Sequence, residues 1–162
     1  MLHTLQSGCR RLNTWIEYLL ASLGMTMALV VIAQVFCRYV LNSSLFWSEE
    51  LARYLLVWLS FLGATTAYYR GAHPGVDLVS RRLPAAGRWF CRLLTHLISL
   101  ALFGIIILAG VQFAYFIRLQ ISPALGLPKW IVLAVIPISG IILLAHGAAF
   151  LLETILEPDH DQ

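Results

Sequence analysis

The chain has 162 residues, of which 60% are hydrophobic and only 12% charged, with a mean hydropathy of +0.82. A soluble domain carries about 25% charged residues, so this composition excludes a soluble globular enzyme and describes an all-α integral membrane protein. The formal charge of +3 does not point to nucleic acid, because basic residues in membrane proteins serve as topology signals facing anionic headgroups.

Four apolar runs are long enough to cross a hydrocarbon core of roughly 30 Å, which takes about 20 helical residues. They predict transmembrane helices at about 15–39, 48–70, 91–117 and 129–153, forming one membrane domain over 1–162. Arg10 and Arg11 precede the first run as in a signal peptide. Its charge-free stretch from Tyr18 to Cys37 is longer than a typical h-region and ends in Cys37-Arg38-Tyr39 without a small-residue cleavage site, so it is expected to be retained. Arg10, Arg11, Arg70, Arg81, Arg82, Arg88 and Arg92 fall on one side of the spans and Arg38, Arg53, Arg118 and Lys129 on the other. The positive-inside rule then places both termini in the cytoplasm.

Between the first two spans lies a junction, from Arg38 to Tyr54, that carries four of the chain's nineteen charges. Ser48 reads as a helix N-cap, Glu49 and Glu50 place negative charge in the first turn, and Glu49 is spaced to pair with Arg53. With Arg38 they predict a self-neutralising polar clamp at the outer face, flanked by Trp47. Two readings stay open: ordinary interfacial helix-end charges, or a docking surface for a second membrane protein.

The second loop, Gly71 to Arg92, is long enough for structure of its own. Val76, Val79 and Leu83, with polar residues between them and Pro84 following, fit either a short amphipathic interfacial helix or an irregular basic loop. The third loop, Ser122-Pro123-Ala124-Leu125-Gly126-Leu127-Pro128, is a rigid extended turn. Pro137 removes a backbone donor inside the fourth span and predicts a kink there. Gly63, Ala67 and Gly71 repeat every fourth position, as do Gly24 with Ala28 and Gly110 with Ala114, which suits close helix approach inside the chain or with a partner.

No catalytic residues, metal site or cofactor are expected. Cys9, Cys37 and Cys91 lack any zinc or redox spacing, and no phosphate loop, nucleophile elbow or triad is present. The middle of the spans holds no Asp, Glu, Lys or Arg, which disfavours a stand-alone transporter. Glu17 is too shallow to act as a mid-membrane carboxylate, and Gln34 suits an interhelical hydrogen bond. His96 and His146 approach the same membrane face, so a bis-histidine haem in a membrane cytochrome subunit is the alternative from another class.

Arg38-Tyr39-Val40 leading to Trp47-Ser48-Glu49-Glu50-Leu51-Ala52-Arg53-Tyr54, then Phe61-Leu62-Gly63-Ala64, Gly71, His73 and Val76-Asp77-Leu78 resemble the small membrane subunit of tripartite ATP-independent periplasmic (TRAP) transporters. So do Ser122-Pro123-Ala124-Leu125-Gly126-Leu127-Pro128 with Trp130, and Ile136-Pro137. The resemblance covers roughly residues 10 to 155; Pro74-Gly75 departs from the family's pattern and leaves the start of the interfacial helix open. It implies a multi-pass protein of the bacterial inner membrane with four helices. It further implies pairing with a large multi-span permease that carries the substrate and sodium sites, while a periplasmic binding protein delivers dicarboxylates, sugar acids or sialic acid. The small subunit would be a scaffold among membrane lipids, and the substrate cannot be read from it.

Overall fold

The computed structural model describes residues 2–71 and 85–156, and every extended element in it is helical. Helix α1 spans Leu2–Tyr39, α2 Phe46–Tyr69, α3 Ala85–Phe116, α4 Lys129–Leu133 and α5 Val135–Leu156. At 1.5 Å per residue the 38 residues of α1 reach about 57 Å, well beyond a hydrocarbon core, so its first turns project past the apolar slab. The helix therefore begins earlier than the expected boundary near residue 15. The proposed interfacial helix around Val76, Val79 and Leu83 lies outside the described residues; α3 already begins at Ala85, inside the segment read as loop.

Among the described residues, three helical stretches are long and apolar enough to cross a membrane: Ser7–Tyr39, Trp89–Phe116 and Lys129–Ile155. The expected second span is a 24-residue helix, about 36 Å long, but its composition is more polar. Part of that polarity is turned inward, since Ser48, Thr65, Thr66 and Tyr68 of α2 are buried, while Glu49, Arg53 and Ser60 are exposed. The Thr65 hydroxyl donates to Leu62 O at 2.7 Å, so this buried hydroxyl is satisfied within its own helix.

The helices run alternately up and down. The start of α1, the end of α2, the start of α3 and the end of α5 share one end of the bundle, here called the lower end. α5 is the hub: α3 packs on one side of it, α1 and α2 on the other, and α1 makes no backbone approach to α3 among the described residues. The most apolar stretch of α5 is 39% buried, against 0% for that of α1 and 11% for that of α3.

Two apolar clusters occupy the interior. Ile16, Leu62 and Val135 pack with Leu20, Leu23, Val57, Trp58 and Phe61; nearer the lower end, Tyr68 stands edge-on to Phe103 at 5.0 Å, with Leu143 beside them. Between α3 and α5 the backbones come close enough that side chains are excluded. A Cβ on Gly110 would lie 2.9 Å from Pro137 Cδ and 3.0 Å from its backbone nitrogen, and one on Gly140 would lie 2.7 Å from Ile107 Cγ1. This is small-residue packing as in other membrane helices, made by Gly110, Gly140 and Gly147 with Pro137. Gly63 and Gly71 have open space where a Cβ would stand and Ala67 is exposed, so that stripe packs against nothing within the chain.

The fourth apolar run is interrupted at Ala134, which keeps a helical conformation: its N–H donates to Trp130 O at 2.9 Å and its carbonyl accepts from Ile138 N–H at 3.2 Å. α4 stops at Leu133 and α5 starts at Val135, two residues before Pro137, whose missing N–H leaves the Leu133 carbonyl without its helical donor. The Trp58 indole N–H donates to Val132 O at 3.0 Å, so a neighbouring helix supplies a donor at the break.

Candidate functional site

At the upper end, α1 closes at Tyr39 and the chain turns through Asn42, whose φ of 49° is a left-handed conformation that asparagine tolerates. α2 then begins with Leu45 at its cap position and no side-chain cap. Ser48 is therefore not the N-cap; it lies inside the first turn, fully buried, and its hydroxyl donates to Leu45 O at 2.7 Å. Burial explains the change of role, because a hydroxyl away from water must use the nearest free carbonyl.

Glu49 and Glu50 point to different neighbours. Glu49 Oε1 accepts from Gln34 Nε2 of α1 at 3.2 Å, which realises the interhelical bond expected of Gln34 and replaces the expected Glu49–Arg53 pair. Glu50 accepts from the Tyr54 hydroxyl one turn on, and its other oxygen accepts from the Ala124 backbone N–H at 2.9 Å. The Ser122 hydroxyl also faces this carboxylate.

The loop that Glu50 grips is itself pinned. Ser122 N–H donates to Leu127 O at 2.8 Å and Lys129 N–H to Gln120 O at 2.9 Å, forming a bridge between Ile121 and Pro128. Gly126 supports the turn with a φ of +66°, a region that costs glycine nothing. The two most family-like segments, the Trp47–Tyr54 run and the Ser122–Pro128 loop, thus meet through one carboxylate.

The self-neutralising clamp does not form. Arg38 and Arg53 are exposed, and among the described residues neither makes an ion pair with Glu49 or Glu50. Glu50 is held by several uncharged donors, Glu49 is exposed to solvent and accepts from Gln34, and the two arginines are exposed. Trp47 is exposed as well, at 42%.

At the lower end, the ion pair is one the sequence reading missed. Arg70, at the end of α2, donates to Glu17 Oε1 of α1 through Nη2 at 2.8 Å and Nε at 3.2 Å, and Asn13 Nδ2 donates to the same oxygen at 2.6 Å. Each residue was visible, Glu17 as a shallow carboxylate and Arg70 as a topology charge, but their meeting depends on helix depth and rotation. The other end of the α2 pattern was legible: Glu50 and Tyr54 are four apart on one helix.

The two histidines do not share a cavity. His146 is fully buried, lies 5.0 Å from the Tyr69 ring and lines a cavity that His96 does not reach. Phe150 packs on His96, with ring centroids 6.3 Å apart. A haem held between both imidazoles needs them to face one space, so the arrangement does not fit the cytochrome alternative. Among the described residues no group of His, Cys, Asp or Glu is placed to hold a metal ion, and Cys9, Cys37 and Cys91 are free.

Residues 27–157 match the family model of tripartite ATP-independent periplasmic transporters, DctQ component. A Haemophilus influenzae protein assigned as a TRAP transporter small permease protein is 31% identical over 145 residues, 89% of each chain. The C4-dicarboxylate TRAP transporter small permease protein DctQ of Rhodobacter capsulatus is 34% identical over 99 residues, 60% of this chain and 44% of that one. The sialic acid TRAP transporter permease protein SiaT of Haemophilus influenzae is 26% identical over 133 residues, covering 82% of this chain but only 22% of SiaT. The helices, the paired motifs at the upper end and these similarities agree: the chain belongs to the DctQ-component family of TRAP transporters, as a small permease subunit.

Proposed function

We propose that this chain is the non-catalytic scaffold of a sodium-coupled secondary transporter in the bacterial inner membrane, crossing the bilayer four times with both termini in the cytoplasm. α2 is the additional span. Its length suits the crossing, its Thr65, Thr66 and Tyr68 are buried, and the exposed Ser60 hydroxyl is satisfied within the helix by Leu56 O. The observation that carries the reading is where the polar interactions sit: carboxylate locks hold the bundle at its two ends, Glu50 above and Glu17 below, while the middle of the spans holds no charged residue. A frame needs such fixed ends, whereas a transport site needs a polar group or an interrupted helix near the midplane. Among the described residues the interruption of the fourth run at Ala134 is close to the upper end.

The moving, substrate-carrying part belongs to a large permease. The chain matches about a fifth of SiaT, which fits a small unit that works joined to a much longer membrane protein. A periplasmic binding protein would deliver an organic acid of the dicarboxylate, sugar-acid or sialic acid type, in keeping with the relatives' names.

Reconstitution tests the proposal. Liposomes holding this chain alone are expected to show no sodium-driven uptake, and liposomes that also hold its large permease and binding protein are expected to take up the acid. Uptake by the chain alone would overturn the scaffold role.

A further inference from the structure

Two grooves open at the upper end of α3, and Tyr115 and Arg118 line both. One, of about 290 Å³, runs between α3 and the start of α5 past Val111, Ala114, Ala134 and Pro137; the contact of Gly110 with Pro137 closes the seam below it. The other, of about 410 Å³, lies on the neighbouring stripe of α3 against Gln112, Phe116 and Leu119. Arg118 is exposed and its guanidinium lies 3.8 Å from the centre of the Tyr115 ring, a cation–π contact that positions the charge without neutralising it. Among the described residues Arg118 meets no carboxylate. Lys129 donates to the neutral Gln120 amide oxygen at 3.4 Å, so a second cation without a carboxylate stands next to Trp130, which lines the first groove.

Depth, charge and shape identify the occupant. Tyr115 and Trp130 are exposed near the ends of their spans, as aromatic residues of an interfacial belt are, so Arg118 lies at headgroup level. Neither groove is lined by Asp or Glu, which suits an anion and leaves the ammonium of a zwitterion without a carboxylate to meet. Below the cation the first groove is walled by Val111, Ala114, Ala134 and Pro137, and its 290 Å³ hold less than one turn of a helix about 10 Å across. The slot therefore fits a hydrocarbon chain and not a helix of another protein.

We propose that the paired grooves seat an anionic glycerophospholipid, with its phosphate on the Arg118 guanidinium and one acyl chain in each groove. The guanidinium fork matches two phosphate oxygens, and Lys129 adds to the attraction at the same interface. The inference rests on the chain's lying in a membrane and not on its scaffold role, so loss of lipid selectivity with intact uptake would reject this inference alone.

Native mass spectrometry of the full chain, purified in mild detergent and then exchanged into micelles holding equal amounts of phosphatidylglycerol and phosphatidylethanolamine, tests it. One retained phosphatidylglycerol per chain is expected. Arg118→Gln should lower its retention about fivefold, the worth of one basic residue beside an anionic headgroup. Arg38→Gln removes an exposed cation from the same end, on a helix that does not approach α3, and should leave retention unchanged. Ala114→Leu fills the first groove while keeping both cations and should also lower retention; circular dichroism and melting temperature verify that the variants fold. Inorganic phosphate in excess should not displace the lipid, and a complex with the large permease should keep it. Equal retention of both lipids by the native chain, equal effects of the two arginine substitutions, an indifferent Ala114→Leu, displacement by phosphate, or loss of the lipid on assembly with the permease would overturn the assignment.

Discussion

The α3–α5 seam and the α1–α2 pair are held together by different physics. α3 and α5 meet backbone to backbone at Gly110, Gly140 and Pro137, where dispersion over a close approach does the work, with an indole hydrogen bond from Trp89 to Thr154 O at 3.3 Å near the lower end. α1 and α2 meet through larger side chains, Ile16, Leu20, Val57 and Leu62, with polar bonds at both ends: Gln34 to Glu49 above and Arg70 to Glu17 below. The first junction tolerates no added volume and ignores salt. The second has room, since Gly24 and Gly63 have nothing within reach of an added Cβ, but depends on groups that water and ions can compete for.

Substitutions at the glycines should separate the two junctions most sharply. Gly110→Ala brings a methyl within 3.0 Å of the Pro137 backbone and is expected to destabilise the chain by about 1–3 kcal/mol, the usual cost of overpacking. Gly63→Ala should stay within about 0.5 kcal/mol of the native chain. Melting curves in one detergent compare them, and equal effects would erase the distinction.

Next comes Glu50, which belongs to neither pair but ties α2 to the loop before α4. Glu50→Ala strands the Ala124 N–H and should lower the melting temperature and expose the Ser122–Pro128 loop to proteolysis. Arg53→Ala, removing an exposed side chain, should leave both unchanged. If the outward arginines contact the large permease, only the Arg38→Ala/Arg53→Ala double variant should co-purify with it less well while melting normally.

Trp58→Phe removes the donor to Val132 O and should cost about 1 kcal/mol, in the range of interhelical hydrogen bonds in membranes, with the loss localised by hydrogen exchange at the α4–α5 break. The smallest effect is expected for Arg70→Gln. Its side chain is 63% exposed and that of Glu17 35%, so the pair is screened, and the difference from the native chain should shrink as salt rises. A salt-independent loss would show that this pair is enclosed by something beyond the chain.

Much of the fold was legible because it follows from local composition. Long apolar runs form helices wherever they occur, and the apolar periods, the prolines and the family-like motifs lie within short windows. The partners of single polar groups were not legible. Glu49 was spaced to meet Arg53, yet an uncharged amide from α1 reached it first. Ser48 looked like a cap, yet burial turned its hydroxyl inward. Gly63 with Ala67 and Gly71, Gly24 with Ala28, and Gly110 with Ala114 were spaced alike, and of these the close contact inside the chain fell to Gly110, with Gly140 opposite, because small residues permit approach without choosing the helix that approaches.

The sequence by itself determined that this is a helical membrane protein whose charge is kept to the ends of its spans, since the free energy of burying charge in hydrocarbon acts on each segment independently. Only the tertiary structure decided that Glu50 grips the proline loop, that Glu17 takes Arg70, and that His146 is buried beside the Tyr69 ring. Those outcomes depend on the relative depth and rotation of helices that are far apart in the chain, and no local pattern encodes them.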